Sequence, residues 1–344
     1  MLDAFFAWYN SLTDSLLGSL GLFAVGLILL IKGGDWFVDS AVGIAKRFRV
    51  PEIIIGATVV SIGTTLPEVM VSATAAVNGN GAIAYGNAIG SIICNTALIA
   101  ALTVAIRPAP VNRKAITMPV LFFFASAAIY LVAAYIFEYF HVWLGIIMLL
   151  VFATYMTLTI RAGFKNPVAA ADHDDDAEEE KGKPFWLDVV ILIISAGLIA
   201  LGANMLEGSS VSLAGMAGIP TEVVGVTIVA LCTSLPELVT AITSLVKGHG
   251  ALSLGNIIGA NIFNLVLVSG VAVTISPFPV PEGSQIFGMN TSLVLEIPLM
   301  VGVMAILTLP ALLKKKLFRS QGFILLGLYA AFVVLQVLIA LNIL

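Results

Sequence analysis

The chain has 344 residues, of which 60% are hydrophobic and only 10% are charged, with a mean hydropathy of +1.07. In a soluble globular protein about a quarter of all residues are charged, so this composition excludes that class and indicates a protein of the lipid bilayer. The net charge of -4 comes largely from one cluster, Asp172 to Glu180, and does not indicate nucleic acid as a partner. Nothing in the sequence indicates a protein partner or a cofactor.

Long apolar runs predict about ten transmembrane helices, because a bilayer of roughly 30 Å needs about 20 apolar residues per span. In chain order, the predicted helices are 19–45, 53–77, 82–106, 115–136, 142–161, 186–215, 222–246, 251–275, 291–311 and 321–342. The predicted fold class is therefore all-α, a polytopic membrane protein. Residues 1–18 contain no Lys or Arg, so we expect the first helix to be retained rather than cleaved as a signal.

One extended polar stretch, residues 162–184, separates a first half (1–161) from a second half (185–344). Its acidic composition cannot support a packed core and predicts a linker. A regulatory Ca2+ patch is the alternative, but the stretch lacks the glycine-turn loop that such a site uses. Of the 16 Lys and Arg residues, all but Lys32 fall in odd-numbered loops, so the positive-inside rule predicts a cytoplasmic linker and both termini outside.

The two halves contain an internal repeat. Residues 56–95 match residues 225–264 at 18 of 40 positions, without a gap and at a constant shift of 169. Composition alone would give about four matches. About five helices separate equivalent points, so the second copy enters the membrane from the opposite side. The charges agree, because Asn78 is predicted outside and its counterpart Lys247 inside. We therefore expect two inverted five-helix repeats.

Each repeat places a proline and a glutamate side by side within an apolar helix. Pro67 and Pro236 each remove a backbone N–H, which predicts a kink and a freed carbonyl at mid-membrane. Glu68 and Glu237 follow directly, and an isolated carboxylate there costs several kcal/mol, so it is a functional candidate. A protonated structural Glu is the alternative, which the occurrence of two matched copies disfavours.

Polar residues at helical spacing accompany the glutamates. Hydroxyl residues precede each glutamate on one helix face, and the next helix adds an amide stripe in each half: Ser61, Thr64, Thr65, Thr233 and Ser234, then Asn87, Ser91, Asn95, Asn256, Asn261 and Asn264. The alternative for Asn87 and Asn256 is a role in helix–helix contact. Small faces formed by Gly86 with Gly90 and by Gly255 with Gly259 predict close packing against the proline-containing helices.

The donor set consists of hard oxygens with two negative charges and contains no His or thiolate. Ca2+ binds six to eight such oxygens, and Na+ accepts similar ligands, whereas transition metals fit poorly. Two facing glutamates nearly balance one Ca2+ or two Na+. For Asp35 we favour a structural role, by pairing with Lys32 or reaching the cytoplasmic face, over ion ligation.

The paired motifs resemble those of the cation/Ca2+ exchanger superfamily, particularly prokaryotic Na+/Ca2+ exchangers. They are SIGTTLPE with GNAIGSIICN in the first half and ALCTSLPE with GNIIGANIFN in the second. The resemblance implies a Ca2+/Na+ antiporter of the prokaryotic cell membrane in which the first and sixth helices slide across the remaining bundle. It also implies these ion ligands: Glu68, Glu237, Asn95 and Asn264, with Thr64, Thr65, Ser91, Thr233 and Ser234 around them, and Ser61 and Ala230 at backbone level.

Several positions depart from the family pattern. Cys232 replaces a Gly, Ala260 replaces a common Ser ligand, and Asn264 occupies a position that is Asp in several relatives. The last change removes one carboxylate and argues against the K+-dependent branch. H+/Ca2+ exchange is the alternative function, although relatives of that branch usually carry a Glu where this chain has Gly90 and Gly259. A cation channel would need a continuous lined pore. An intramembrane enzyme is disfavoured, because no HExxH motif is present.

Overall fold

The computed structural model describes residues 15–48, 50, 52–108, 111–165, 184–216, 234–282, 285–286, 288–340 and 343. Within these ranges, nine helices are long and apolar enough to cross a membrane, and Leu235–Val246 forms a shorter apolar helix. The prediction of a polytopic all-α membrane protein is confirmed.

We number the helices in chain order. They are α1 (Leu16–Phe48), α2 (Glu52–Ile55, Gly56–Val60 and Ser61–Val77), α3 (Gly81–Cys94, Asn95–Ala100 and Ala101–Ile106), α4 (Arg113–Val132 and Ala133–Phe137), α5 (Val142–Lys165), α6 (Phe185–Met216), α7 (Leu235–Val246), α8 (Gly250–Phe263, Asn264–Val268 and Ser269–Ile275), α9 (Ser292–Glu296 and Ile297–Lys314) and α10 (Arg319–Ala340). The five-residue or six-residue segments among them are π-helical: Gly56–Val60, Asn95–Ala100, Ala133–Phe137, Asn264–Val268 and Ser292–Glu296.

Most predicted helix ends agree with the structure to within four residues. The first helix is longer than predicted by three residues at each end, and α5 continues to Lys165. Of the predicted helix 222–246, residues 222–233 lie outside the described residues, as do linker residues 166–183. Pro67 lies inside the continuous helix Ser61–Val77, and the departure from α-helical geometry is the π-helical segment Gly56–Val60 before it.

Two short antiparallel strand pairs, which the sequence pattern did not predict, lie in loops. Strands β1 (Tyr139–Phe140) and β2 (Phe278–Pro279) join the α4–α5 loop to the chain following α8, with Phe140 opposite Phe278. Strands β3 (Gln285–Ile286) and β4 (Met289–Asn290) form a hairpin before α9. On the other side, Val111 N, between α3 and α4, donates to Lys315 O, between α9 and α10, at 2.9 Å. Even-numbered loops thus meet even-numbered loops and odd meet odd, as ten alternating spans require.

Helices α1 and α6 run antiparallel along their lengths. Ser19 Oγ donates to Ser212 Oγ at 3.2 Å at one end, and Arg47 lies 3.9 Å from Asp188 at the other. Between them, a Cβ on Gly33 would lie 3.2 Å from Ser195 O, and a Cβ on Gly202 would lie 2.7 Å from Gly26 O. These two contacts are related by the 169-residue shift, because 33 corresponds to 202 and 26 to 195. Equivalent helices therefore point in opposite directions, which confirms the inverted repeat.

Helices α3 and α8 lie at the centre of the bundle. In the most apolar part of each helix, 72% of the residues of α3 and 83% of those of α8 are buried, the highest shares among the described spans. Their side chains join those of α4, α5 and α9 in one large hydrophobic core, whereas α1 and α6 belong mainly to a second, smaller core. The segments before α3 and α8 turn at glycines with positive φ, Gly79 at 74° and Gly248 at 87°, which are repeat counterparts.

Candidate functional site

The two glutamates of the repeat lie together inside the bundle. Glu68 in α2 and Glu237 in α7 are both fully buried, and their carboxylates are close enough to repel each other. Thr65 Oγ1, in the first half, donates to Glu237 Oε1, in the second half, at 3.5 Å. Both oxygens of Glu68 and Oε2 of Glu237 have no hydrogen-bond partner among the described residues. The centre of the protein thus holds two buried carboxylates with three uncompensated oxygens.

Two asparagines supply further unpartnered groups. Asn95 in α3 and Asn264 in α8 are fully buried, and neither the oxygen nor the nitrogen of either carboxamide bonds to a described residue. Each asparagine is the first residue of a π-helical segment, Asn95–Ala100 and Asn264–Val268. Segments of π-helix occur frequently at functional sites, and these two occupy repeat-equivalent positions. The local helix geometry therefore marks the same residues as the sequence motif.

A second pair of asparagines holds the glutamate helices in place. Asn87 Nδ2 donates to Glu68 O at 3.0 Å and to Ser72 Oγ at 2.8 Å. In the other half, Asn256 Nδ2 donates to Thr240 Oγ1 at 2.9 Å, and the Thr240 hydroxyl shares its proton between Pro236 O at 2.9 Å and Glu237 O at 3.1 Å. Each asparagine thus binds the backbone of a glutamate, directly or through one hydroxyl.

The hydroxyls that precede Glu68 are engaged differently from one another. Ser61 Oγ donates to Gly56 O at 2.7 Å and to Asn256 O at 3.0 Å, which ties α2 to α8. Thr64 Oγ1 lies 3.4 Å from Asn256 Oδ1. Ser91 in α3 is buried, and the buried Ser234 Oγ has no partner among the described residues. Thr233, Ala230 and Cys232 lie outside the described residues.

Close packing at the predicted small faces is observed for one half. A Cβ on Gly255 would lie 2.3 Å from Ile53 O, and a Cβ on Gly259 would lie 2.3 Å from Ser61 Oγ. Gly86 and Gly90 have no heavy atom within 4 Å of such a Cβ in the part of the chain that the structure describes. The repeat counterparts of Ile53 and Ser61 are residues 222 and 230, which would pack on Gly86 and Gly90 and lie outside the described residues.

Asp35 takes a structural role, but its ion-pair partner differs from the predicted Lys32. Lys247 Nζ, after α7, lies 3.4 Å from Asp35 Oδ1 and 2.8 Å from Asp39 Oδ1, and it donates to Asp35 O at 3.0 Å. We call this group, Lys247 with Asp35 and Asp39, the ionic clasp. It joins α1 to the end of α7. More than 200 residues separate Lys247 from the two aspartates in the chain, so sequence periodicity could not predict the contact.

Sequence reasoning missed Thr240, Ser72 and Thr96. Thr96 Oγ1 accepts from Asn261 Nδ2 at 2.7 Å and lies 3.3 Å from Met304 Sδ, so Asn261 joins α8 to α3 and α9 rather than to the glutamates. The sequence carried a signal for these three hydroxyls, because Ser72 and Thr240 lie on the helices that carry the glutamates and Thr96 follows Asn95 directly. Ser72 and Thr240 follow the glutamate of their own helix at i+4 and i+3, on the same helix face.

Buried polar groups without partners cost about 1–3 kcal/mol each, so such a cluster is stable only when a ligand or water compensates it. The available groups are carboxylate, amide and hydroxyl oxygens, which suit hard cations and not soft metals. The described residues contain no cluster of three or more His, Cys, Asp or Glu side chains, so two carboxylates set the site's charge. The arrangement is a charged oxygen cage inside a membrane bundle.

Such a cage between inverted halves defines a membrane transporter of small cations. The sequence profile described as "Sodium/calcium exchanger protein" matches residues 18–161 and 187–338, which is most of the chain. The chain therefore belongs to the sodium/calcium exchanger protein family, whose members are transporters and not enzymes.

Individual relatives extend over nearly the whole chain. The sodium/calcium exchanger MaX1 of Methanosarcina acetivorans is 30% identical over 343 residues, which cover 90% of this chain and 96% of that protein. An uncharacterized membrane protein of Methanocaldococcus jannaschii is 33% identical over 321 residues, covering 90% of this chain and 95% of that protein. The solved structure of the sodium/calcium exchanger from Methanococcus jannaschii has a TM-score of 0.75 at 30% identity and covers 92% and 97% of the two chains.

Proposed function

We propose that the chain is a secondary antiporter that exchanges Ca2+ for Na+ by alternating access across a prokaryotic cell membrane. Both termini lie outside and the acidic linker lies in the cytoplasm, between repeats 1–161 and 185–344. The proposed side-chain ligands are Glu68, Glu237, Asn95 and Asn264, with the hydroxyls of Thr64, Thr65, Ser91, Thr233 and Ser234 around them and backbone contributions from Ser61 and Ala230.

One observation carries this proposal: two fully buried carboxylates and two fully buried carboxamides lie on segments that contact each other, the Glu237 helix with Asn95–Ala100 and the Glu68 helix with Asn264–Val268, and most of their polar atoms have no described partner. Their two negative charges balance either one Ca2+ or two Na+, so occupancy by one ion type excludes the other on charge grounds. MaX1 and the solved relative are both named sodium/calcium exchangers, which supports Na+ as the counter-ion.

An asymmetry between the repeats supports alternating access. Helix α1 covers the face of α7 that carries Val239 and Thr243. A Cβ on Gly34 of α1 would lie 2.5 Å from Val239 Cγ1 and 3.3 Å from Thr243 Oγ1. The counterpart residues in α2 are Met70 and Thr74, and both are exposed, Met70 by 65%. They line an open cleft that reaches the end of α2. Two chemically related faces are thus in different states, one covered and one open.

The open face lies on the side that the charge pattern assigns to the exterior. The cleft includes Asn78 and Asn80, in the loop after α2, whereas the covered face ends at the ionic clasp on the cytoplasmic side. In the proposed cycle, the α1–α6 pair shifts so that α6 covers the α2 face while α1 leaves the α7 face. The proposed ligands Glu68, Glu237, Asn95 and Asn264 are themselves fully buried, so the described conformation is then occluded at the cage, with its outer face the less covered one.

The decisive experiment measures 45Ca2+ uptake in proteoliposomes prepared as a matched pair. One preparation is loaded with Na+ at uniform pH, and the other carries a pH gradient in Na+-free buffer. We expect accumulation only in the first, competition by external Na+, and no requirement for K+. Accumulation only in the second would assign the protein to H+/Ca2+ exchange, and flux that neither saturates nor needs a counter-ion would indicate a channel.

Conservative variants test the ligand set. Glu68→Gln and Glu237→Gln each remove one charge without changing side-chain shape, so each is expected to abolish Ca2+ exchange. Asp35→Asn removes an acid outside the cage and is expected to have a milder effect. Full exchange by either Gln variant, at normal expression and monodispersity, would show that the glutamates are structural.

A further inference from the structure

One hydrogen bond joins the two halves of the protein directly beside the proposed ion ligands. Asn261 Nδ2, in α8, donates to Thr96 Oγ1, in α3, at 2.7 Å, and both side chains are fully buried. Thr96 directly follows Asn95 in the chain, and Asn261 precedes Asn264 by three residues. Because α3 belongs to the first repeat and α8 to the second, this bond connects the halves within one helical turn of both asparagines.

Met304, in α9, holds this hydrogen bond in one orientation. Its sulfur lies 3.1 Å from Asn261 Nδ2 and accepts from Thr96 Oγ1 at 3.3 Å. A thioether sulfur has no proton, so both neighbours must direct a proton toward it. The single proton of Thr96 is thereby used, and its oxygen accepts from Asn261. Turning the carboxamide over would place Oδ1 against a sulfur that cannot donate. We call the group Asn261, Thr96 and Met304 the inter-repeat bridge.

The repeat-equivalent positions of Asn261 and Thr96 are apolar. Ile92 is the counterpart of Asn261, and Leu265 follows Asn264 as Thr96 follows Asn95; both apolar side chains are fully buried. The corresponding segments contact each other in both places, Gly250–Phe263 with Asn95–Ala100 and Gly81–Cys94 with Asn264–Val268. Apolar residues are thus sufficient to pack α3 against α8. A buried hydrogen bond adds little stability over such packing, but it fixes one geometry.

The separation of the two halves matters more for a bound Ca2+ than for bound Na+. Glu68 and Asn95 belong to the first half, and Glu237 and Asn264 belong to the second. Two carboxylates that balance one Ca2+ must share it, whereas two Na+ ions can each lie nearer to one carboxylate. The attraction between an ion and a carboxylate is proportional to the charge of the ion, so a change of separation costs a divalent ion about twice as much per contact.

We propose that Asn261 is a positioning residue for ion exchange: through Thr96 it sets the separation between Asn95 and Asn264 and thereby favours Ca2+ over Na+. This inference rests on the proposed exchange function and adds a determinant of ion selectivity outside the ligand set. In this role Asn261 contacts Thr96 and Met304 and not the transported ion.

The test replaces the bridge by the apolar pair of the other half. The Asn261→Ile/Thr96→Leu double variant removes both polar partners together, so neither is left unpaired. Uptake of 45Ca2+ into Na+-loaded proteoliposomes is measured against external Ca2+, and Na+-driven 45Ca2+ release is measured against external Na+. We expect the half-saturating Ca2+ concentration to rise about fivefold, the effect of one lost hydrogen bond, and the half-effective Na+ concentration to change less than about twofold. The maximal rate should persist, whereas a merely structural defect would lower the number of active molecules and leave the half-saturating Ca2+ concentration unchanged.

Single variants separate the hydrogen bond from packing. Thr96→Val preserves the side-chain shape, serves if the double variant does not fold, and should also raise the half-saturating Ca2+ concentration. Thr96→Ser retains the hydroxyl and should restore the parental value. As a matched control, Thr308→Val removes a buried hydroxyl of α9 that donates to Met304 O, in its own helix, at 2.6 Å, and it should leave both concentrations unaltered.

The outcomes distinguish the positioning role from exchange itself. An unaltered half-saturating Ca2+ concentration in the folded variants, or equal shifts for Ca2+ and Na+, would refute the positioning role and leave the exchange function standing. Absence of Na+-driven Ca2+ flux in the parent would instead refute the proposed function, and the positioning role with it.

Discussion

Removal of the Lys247 charge tests whether the ionic clasp holds α1 against α7. Lys247→Met keeps the aliphatic length of the side chain but deletes the ammonium group that lies 2.8 Å from Asp39 Oδ1 and 3.4 Å from Asp35 Oδ1. The repeat counterparts of all three residues carry no charge, so the clasp acts on one side of the membrane only. Its loss should therefore favour separation of α1 from α7.

The free energy that the ionic clasp contributes follows from its distances and from the exposure of its side chains. The side chains of Lys247, Asp35 and Asp39 are 26%, 40% and 64% exposed, so the pairs are screened by water. Exposed ion pairs contribute about 0.2–1 kcal/mol each. Two pairs together with the hydrogen bond to Asp35 O give about 1–2 kcal/mol, which shifts a two-state population roughly 5–30-fold.

The assay follows the chemical accessibility of Thr243, which α1 covers through Gly34. A single cysteine at Thr243, in a background without Cys94 and Cys232, is alkylated by a water-soluble maleimide at low ionic strength. We expect Lys247→Met to raise the labelling rate about 5-fold or more. High salt should raise the rate of the parent toward that of the variant and leave the variant unchanged, because screening weakens the clasp.

Lys32→Met is the matched control, since it removes one positive charge from α1 outside the clasp. It should leave the labelling rate at Thr243 unaltered. A cysteine at Thr74, the exposed counterpart of Thr243, should react rapidly in every variant. Equal Thr243 rates in Lys247→Met and its parent at low salt would refute the idea that the clasp secures α1.

Three further predictions concern packing, topology and charge. Gly259→Ala places a methyl group against atoms of α2 and should destabilise the protein by about 1–3 kcal/mol, seen as a lower melting temperature; an unchanged melting temperature would contradict the packing described. Single cysteines at Asn78 and Lys247 should react with an impermeant reagent from opposite sides, and labelling from one face would contradict the proposed topology. Asn264→Asp adds a third carboxylate to the cage and should shift Na+/Ca2+ competition in flux assays, so an unaltered competition curve would place this residue outside the ion site.

The sequence sufficed to predict the bundle and the central carboxylates because both depend on local rules. Apolar run length determines the spans, and the exclusion of charge from lipid makes Glu68 and Glu237 conspicuous. The internal repeat then related each residue to its counterpart, so that Asn95 and Asn264 were predicted together as candidate ligands. The structure places all four in buried positions, while their role as ligands remains a prediction.

Other features depend on contacts between distant segments and left little trace in the sequence. The π-helical segments that begin at Asn95 and Asn264 have no composition signal, because the i→i+5 pattern of a π-helix changes backbone hydrogen bonding and not residue type. The partner of Asp35 is 212 positions away in the chain, and local spacing favoured the nearer Lys32.

The contact between α1 and α6 has an evolutionary implication. Gly33 meets the backbone near Ser195, and Gly202 meets the backbone near Gly26, so each helix offers the other the same surface. Such a contact is isologous, the kind that a two-fold axis creates between identical subunits. A half-length ancestor inserted in both orientations would already have possessed it. Fusion of two copies then required a connecting segment and a redistribution of Lys and Arg, while the interface itself could remain unchanged.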